Sequence, residues 1–239
     1  MRQIIESLTD PADHLALDES VLLAADAGEL GETIRVWQFD RPVVVVGRST
    51  KVNEEVDHAF CDQQAIPILR RCSGGASVVG GPGCLMYSIV ISLDVHGELR
   101  KIDAAHRFVI SRVLAATQQQ ISDVAWQGTC DLTYRNQKFS GNSLRISRSH
   151  LIYHGTILYD ADLTLLAACL RNPPRQPDYR SGRDHHEFVT NVPIDPAALS
   201  ADLYARFDVD EVPLNELPVH RMQQLRAERY DVSSWNHRH

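Results

Sequence analysis

The sequence predicts an α+β layered fold, and three observations predict it. Short β-branched runs recur as neighbours separated by turn residues, segments of helical period stand apart from them, and the two kinds do not alternate as βαβ units. No repeat or low-complexity linker divides the 239 residues, so one domain over 1–239 is expected. Its sheets should be mixed and mostly antiparallel, with flanking helices.

Each element has a local cause. Asp10-Pro11 reads as an N-cap with proline at the first helical position, and Leu17, Val21 and Ala24 follow at helical spacing until Gly28. Thr33 to Phe39 and Val43 to Val46 read as strands joined at Asp40-Arg41-Pro42. Ile66 to Arg70 and Leu85 to Leu93 are strands flanking a glycine-rich segment. Ala105, Val109, Val113 and Ala116 give Asp103 to Ile121 a helical period. Asp131 to Tyr134, the polar turn Arg135-Asn136 and a strand from Gln137 onwards form a hairpin. Leu151 to Tyr159 is a strand and Leu163 to Leu170 a short helix. Asn172 to Arg183 holds three prolines and many charges, which predicts a mobile loop. Ala197 to Arg206 and Val219 to Tyr230 are weaker helices.

Composition excludes several classes. Hydrophobic content of 44% with 23% charged residues suits a globular protein, and no apolar run approaches the ~18 residues needed to span a bilayer. With no secretory leader pattern either, a cytoplasmic location without membrane partners is expected. The net charge of −7 argues against a nucleic-acid partner, which needs a basic face. Five cysteines, Cys61, Cys72, Cys84, Cys130 and Cys169, show no Cys-x-x-Cys spacing, so packed thiols are expected in place of zinc ligands or disulfides. Only Lys51, Lys101 and Lys138 are lysines among 24 basic residues.

The most informative stretch is Arg70-Arg71-Cys72-Ser73-Gly74-Gly75-Ala76-Ser77-Val78-Val79-Gly80-Gly81-Pro82-Gly83. Glycines allow a backbone to approach a ligand and turn its amides toward an anion, and paired arginines can hold a carboxylate or phosphate. A Walker loop would need a lysine after its last glycine, and a dinucleotide fingerprint would open a helix; neither holds here. No Gly-x-Ser-x-Gly elbow supports a serine hydrolase. His185-His186-Glu187 are adjacent and so do not share one face as metal ligands; a solvated loop pair is expected.

The Arg70 to Gly75 loop resembles the Arg-Arg-x-Ser-Gly-Gly-Gly-like loop of the lipoate–protein ligase A family, within the wider biotin/lipoate ligase and octanoyltransferase superfamily. Trp37 and Pro42-Val43-Val44-Val45-Val46-Gly47-Arg48 look like that family's early strands, and Asn53-Glu54-Glu55-Val56 like its following acidic segment. Asp131-Leu132 through Lys138-Phe139-Ser140-Gly141-Asn142-Ser143 is similar to its Asp-Leu … Lys-x-Ser-Gly segment. His154-Gly155-Thr156-Ile157-Leu158, Asp160-Ala161-Asp162-Leu163, Val189-Thr190-Asn191-Val192 and Tyr230 … Trp235-Asn236 also have counterparts, in order. A biotin ligase would carry a Gly-Arg-Gly-Arg pattern, which is missing.

The resemblance implies a biotin/lipoate ligase-type catalytic domain and a two-step reaction. Lipoate (or octanoate) and ATP, with Mg2+, give an acyl-adenylate, and an acceptor lysine then attacks it. Lys138 takes the catalytic lysine position. Arg70, Arg71, Ser73, Gly74, Gly75, Ala76, Ser77, Val78, Val79 and Gly141 take substrate- and nucleotide-binding positions. Asp131 is a candidate for magnesium or for orienting the acceptor amine, with a hairpin-end turn role as the plain alternative. His154 is placed one step behind the ligand. The implied partners are lipoyl acceptor domains or a glycine-cleavage H-type carrier protein, with a separate accessory subunit as one way to supply the missing C-terminal domain.

Three departures from the family keep other functions open. Gly80 stands where the loop usually has histidine and Ala76 where it has a third glycine; the chain stops soon after Trp235-Asn236; and Cys130 precedes Asp131 directly. ATP-independent octanoyl and lipoyl transferases of this fold use a cysteine thioester, so Cys130 is the alternative nucleophile. A non-catalytic lipoyl-domain binder is the remaining alternative.

Overall fold

Asp10 caps the first long helix as its sequence predicts. Its carboxylate accepts from the Ala12 N–H at 2.9 Å, Pro11 opens α1 (Pro11–Asp26), and Gly28 reverses the chain at φ +75°. The structure is a computed structural model that describes residues 1–238 except 211 and 215.

A five-stranded sheet has the order β1 (Arg2–Gln3), β2 (Thr33–Trp37), β6 (Cys84–Ser92), β11 (His150–Leu158), β10 (Asn142–Ile146). Only the β1–β2 pair is parallel. All nine residues of β6 are buried because the sheet is covered on both faces, which explains its unbroken apolar run. Met86 and Val90 join one apolar core with α1; Leu85, Tyr87, Ile89 and Ile91 join another with α4 (Ile102–Thr117) and α7 (Pro196–Arg206). The two-residue period of the strand thus sorts its side chains between two cores.

A three-stranded sheet, β4 (Ile68–Arg70), β3 (Val43–Val46), β5 (Val78–Gly80), carries the glycine-rich segment between its outer strands. The other three-stranded sheet is the meander β7 (Val124–Gln127), β8 (Asp131–Tyr134), β9 (Gln137–Ser140). Arg135 and Asn136 both have positive φ at the β8–β9 turn, as a tight two-residue hairpin requires. The strand expected from Gln137 onwards is two strands, because the chain leaves β8 after Ser140 and enters the five-stranded sheet at Asn142.

The remaining helices are short: α2 (Val52–Glu55), α3 (His58–Gln63), α5 (Leu163–Cys169), α6 (His185–Phe188), α8 (Val219–Leu225), which continues into a π-helical turn at Arg226–Tyr230, and α9 (Ser233–Asn236). The helical turn α6 replaces the expected solvated loop at His185-His186-Glu187, because Asp184 caps it through the Glu187 N–H at 3.0 Å. Asn172 to Arg183, expected as a mobile loop, has no regular element beyond a short turn at Asp178–Arg180 and is anchored at several points. Arg180 is buried and donates to Asn172 Oδ1 at 2.6 Å, while Arg183 donates to the Asn136 carbonyl at 2.9 Å, tying the segment to the hairpin tip. No helix among the described residues is long and apolar enough to cross a membrane.

Candidate active site

Two cavities meet on the α1 side of the five-stranded sheet. The larger, about 390 Å³, has apolar walls from Leu15, Trp37, Val45, Val78 and Met86. The smaller, about 100 Å³, lies against Val79, Phe139, Leu166 and Phe188, with Glu55, Arg171 and His185 at its edges. Lys138, Ala76, Ser77, Val78, Gly141 and Thr156 line both. The β8–β9 hairpin and the glycine-rich segment therefore converge on one junction.

Lys138 is the cation at that junction. It lies on β9, and its Nζ sits 2.8 Å from Asp131 Oδ1 across the hairpin. Asp131 spends its second oxygen on the Tyr179 hydroxyl, which donates to Oδ2 at 2.8 Å. Asp131, the candidate magnesium ligand, thus has both carboxylate oxygens engaged within the protein. The carboxylate is already paired with an ammonium and a phenol, and no group of three His, Cys, Asp or Glu able to hold a metal occurs among the described residues.

The two arginines of the loop differ from each other. Arg70 is fully buried and lines neither cavity. Its guanidinium donates to the carbonyls of Gly47 (2.6 Å), Thr50 (2.9 Å), Trp235 (2.9 Å), Asn236 (3.2 Å) and Arg238 (2.6 Å). Arg70 therefore sews the C-terminal segment to the loop after β3, and its donors are committed to the protein. Arg71 borders the larger cavity, but its donors go to the carbonyls of Val45, Gly74 and Ala76. Burial lowers both guanidinium pKa values to about 10, so both stay charged at neutral pH.

Arg71 shapes the loop around Gly75, which has φ +86°; a Cβ there would come within 2.9 Å of Arg71 Nη2, so glycine is required. Ser77 is fixed from outside the loop, its N–H and Oγ donating to Glu55 Oε2 at 2.7 and 2.8 Å. Gly80 has a packing cause. A Cβ there would lie 2.5 Å from the Phe39 ring, so the site has no room for histidine. Ser73, Gly74 and Val79 complete the segment: Gly74 accepts from Ser143 Oγ at 2.9 Å, and Val79 reaches only the smaller cavity.

His154 lines the larger cavity and is held from behind. Its Nε2 contacts Ser73 Oγ, and its Nδ1 lies 3.3 Å from Asp18 Oδ2. Burial pushes the Asp18 carboxyl up, but Arg35 and the bonds from His154 and Ser88 outweigh it and hold the group below its usual range. The ionised Asp18 makes Nδ1 the donor. Ser73, His154 and Asp18 follow a Ser-His-Asp order, yet Ser73 is 1% exposed and lines neither cavity, so it is not a nucleophile.

Cys130 faces the larger cavity beside Asp131. Burial, reinforced by Asp131, pushes its thiol up to about 11, although Lys138 opposes this, and Sγ donates to the Asn142 carbonyl at 3.0 Å. Thiolate is a trace species at neutral pH. Cys72 is buried and pushed up to about 12. Sequence reasoning missed Asp18 and Tyr179. The carboxylate pair Asp18-Glu19 inside an apolar helical stretch was a legible signal of buried charge; Tyr179 carried none.

Comparison with known proteins places this geometry. The description "Lipoyl protein ligase A/B catalytic domain" matches residues 10–194. Lipoate–protein ligase 1 of Staphylococcus aureus is 24% identical over 97% of this chain and 71% of its own. Octanoyltransferase LipM of Kyrpidia tusciae is 23% identical over 95% of this chain and 94% of its own. A lipoate–protein ligase A bound with ATP superimposes with a TM-score of 0.80 at 20% identity, covering 99% of this chain and 98% of that one. The bi-partite lipoate protein ligase of Thermoplasma acidophilum, solved in a study that includes its E2 lipoyl domain, gives 0.79 at 22% identity over 98% and 94%. With the family match spanning most of its length, the chain belongs to the lipoyl protein ligase A/B catalytic-domain family.

Proposed function

We propose that the protein is a lipoate–protein ligase-like enzyme that forms lipoyl-adenylate from lipoate and ATP and passes the lipoyl group to a lysine of an acceptor lipoyl domain. One observation carries this reading: Lys138 stands where two cavities join, the larger with an apolar wall of Leu15, Trp37, Val45, Val78 and Met86 and the smaller with Glu55, Arg171 and His185 in its lining. The larger takes the acyl chain and the smaller the nucleotide base. In the first step a carboxylate oxygen of lipoate bonds to the α-phosphorus and pyrophosphate leaves. In the second, the neutral acceptor amine bonds to the acyl carbon, AMP leaves, and the amine proton passes to water. Both steps gather negative charge on oxygen, and the Lys138 ammonium stabilises it in place. Magnesium, when present, travels with the ATP phosphates. An H-type carrier protein is a further acceptor.

A second reading is favoured by the octanoyltransferase relative, which matches over nearly its full length. Here Cys130 takes the acyl group from a carrier as a thioester and yields it to the acceptor lysine, without ATP. Its raised thiol pKa counts against it.

The deciding measurement is the intact mass of a purified lipoyl domain after incubation with the protein and lipoate, with and without ATP and magnesium. A lipoyl mass gain only with ATP supports the ligase. Gain only from an octanoylated or lipoylated carrier, abolished by Cys130→Ala, supports the transferase and overturns the first reading.

A further inference from the structure

Asp131 holds Lys138 with one oxygen, and its other oxygen is held by Tyr179, a residue 48 positions further along the chain than Asp131. We propose that Tyr179 is a positioning residue: its hydroxyl fixes the Asp131 carboxylate, and through it the Lys138 ammonium, at the junction of the two cavities. This deepens the proposed function and rests on Lys138 being the reacting cation.

The seat of Tyr179 is built. Its ring lies 5.3 Å from the Phe188 ring, and it closes over Gly128, where a Cβ would meet Tyr179 Cε1 at 3.3 Å. Its carbonyl accepts from Arg183 Nη2 at 2.8 Å, and Arg183 in turn reaches the tip of the hairpin that carries Asp131 and Lys138. Arg175, Gln176 and Pro177, just before it, line the larger cavity. The segment that borders the substrate space thus also delivers the hydroxyl that orients Asp131.

A phenol is the right group for this task. It donates one hydrogen bond to a carboxylate without adding a second positive charge beside Lys138. Burial, strengthened by the Asp131 charge, raises the phenol pKa well above its ordinary value, so it remains a donor at working pH.

The test uses the chain's three lysines. The protein is treated with a limiting N-hydroxysuccinimide ester, and labelling of Lys138 is read by peptide mass spectrometry against exposed Lys51 and Lys101. Tyr179→Phe keeps the ring in its seat and should change the Lys138 ratio by about threefold to tenfold, the size of one ordinary hydrogen bond. Asp131→Asn removes the counter-charge and should raise it, and the double variant should match Asp131→Asn alone. An unchanged ratio in Tyr179→Phe overturns the inference. So do additive effects in the double variant, because they would mean that Tyr179 only shields the site. Labelling needs no substrate, so failure of the wild-type protein to lipoylate an acceptor would sink the functional reading and leave this result standing.

Discussion

Lys138 and Asp131 face each other at 2.8 Å across a tight hairpin, and the pair is only partly screened, with Lys138 29% and Asp131 11% exposed at the side chain. The pair is mostly buried, so losing the lysine leaves a poorly solvated carboxylate and should cost about 1–3 kcal/mol. Its worth lies in placing a cation where both cavities meet. Lys138→Ala should therefore lower acyl transfer by about a hundredfold to a thousandfold while lowering Tm by only about 2–10 °C. Calorimetry and the acceptor mass assay check this together, and a folded variant with full activity would sink the assignment.

Arg70 makes the opposite prediction. Its buried guanidinium bonds to carbonyls on two distant segments, and removing it leaves those acceptors without partners. Arg70→Ala should destabilise the fold by about 3–5 kcal/mol, lowering Tm by roughly 10 °C. Arg70→Lys should rescue little, since a point ammonium cannot span the same carbonyls. An Arg70→Ala variant that melts like wild type but fails to bind nucleotide would return Arg70 to the ligand.

Gly80 and Phe39 are coupled by contact. Gly80→Ala sets a methyl against the Phe39 ring and should cost about 1–3 kcal/mol. In a Phe39→Leu background that cost should shrink, giving a coupling energy of about 1 kcal/mol in urea unfolding. Strict additivity would mean that the loop moves away instead.

His185 sets a pH dependence. Burial, then the nearby Arg180, lowers its pKa to about 4 in the folded protein, against an ordinary value of 6.5. Between those values the unfolded chain binds the extra proton, so stability rises with pH and is lost as pH falls from 6.5 toward 4. His106, also lowered by burial, adds in the same direction. The urea midpoint should fall over that window, and His185→Gln should flatten part of the fall. Equal slopes in the two proteins would show that His185 is not buried as described.

Elements with a local chemical cause were legible in the sequence. The Asp10-Pro11 cap, the Arg135-Asn136 turn and the period of Asp103 to Ile121 act over a few residues, so α1, the β8–β9 hairpin and α4 lie close to where they are expected. The strand β5 was not legible, because Val78 to Gly80 becomes a strand only by pairing with β3, more than 30 residues away.

The sequence by itself determined the α+β class, most element boundaries, the family, and Lys138, Gly75 and His154 as positions to watch. Tertiary structure alone decided their company. Arg70 turned inward because carbonyls from the C-terminal segment and from residues 47–50 converge there, and nothing in Arg-Arg spacing encodes that meeting. Asp131 became the partner of Lys138 and Tyr179, and Asp18 that of His154, the tyrosine and histidine contacts bridging 48 and 136 positions. Hydrogen bonds and ion pairs act over about 3–4 Å, a distance that folding sets and that separation along the chain does not.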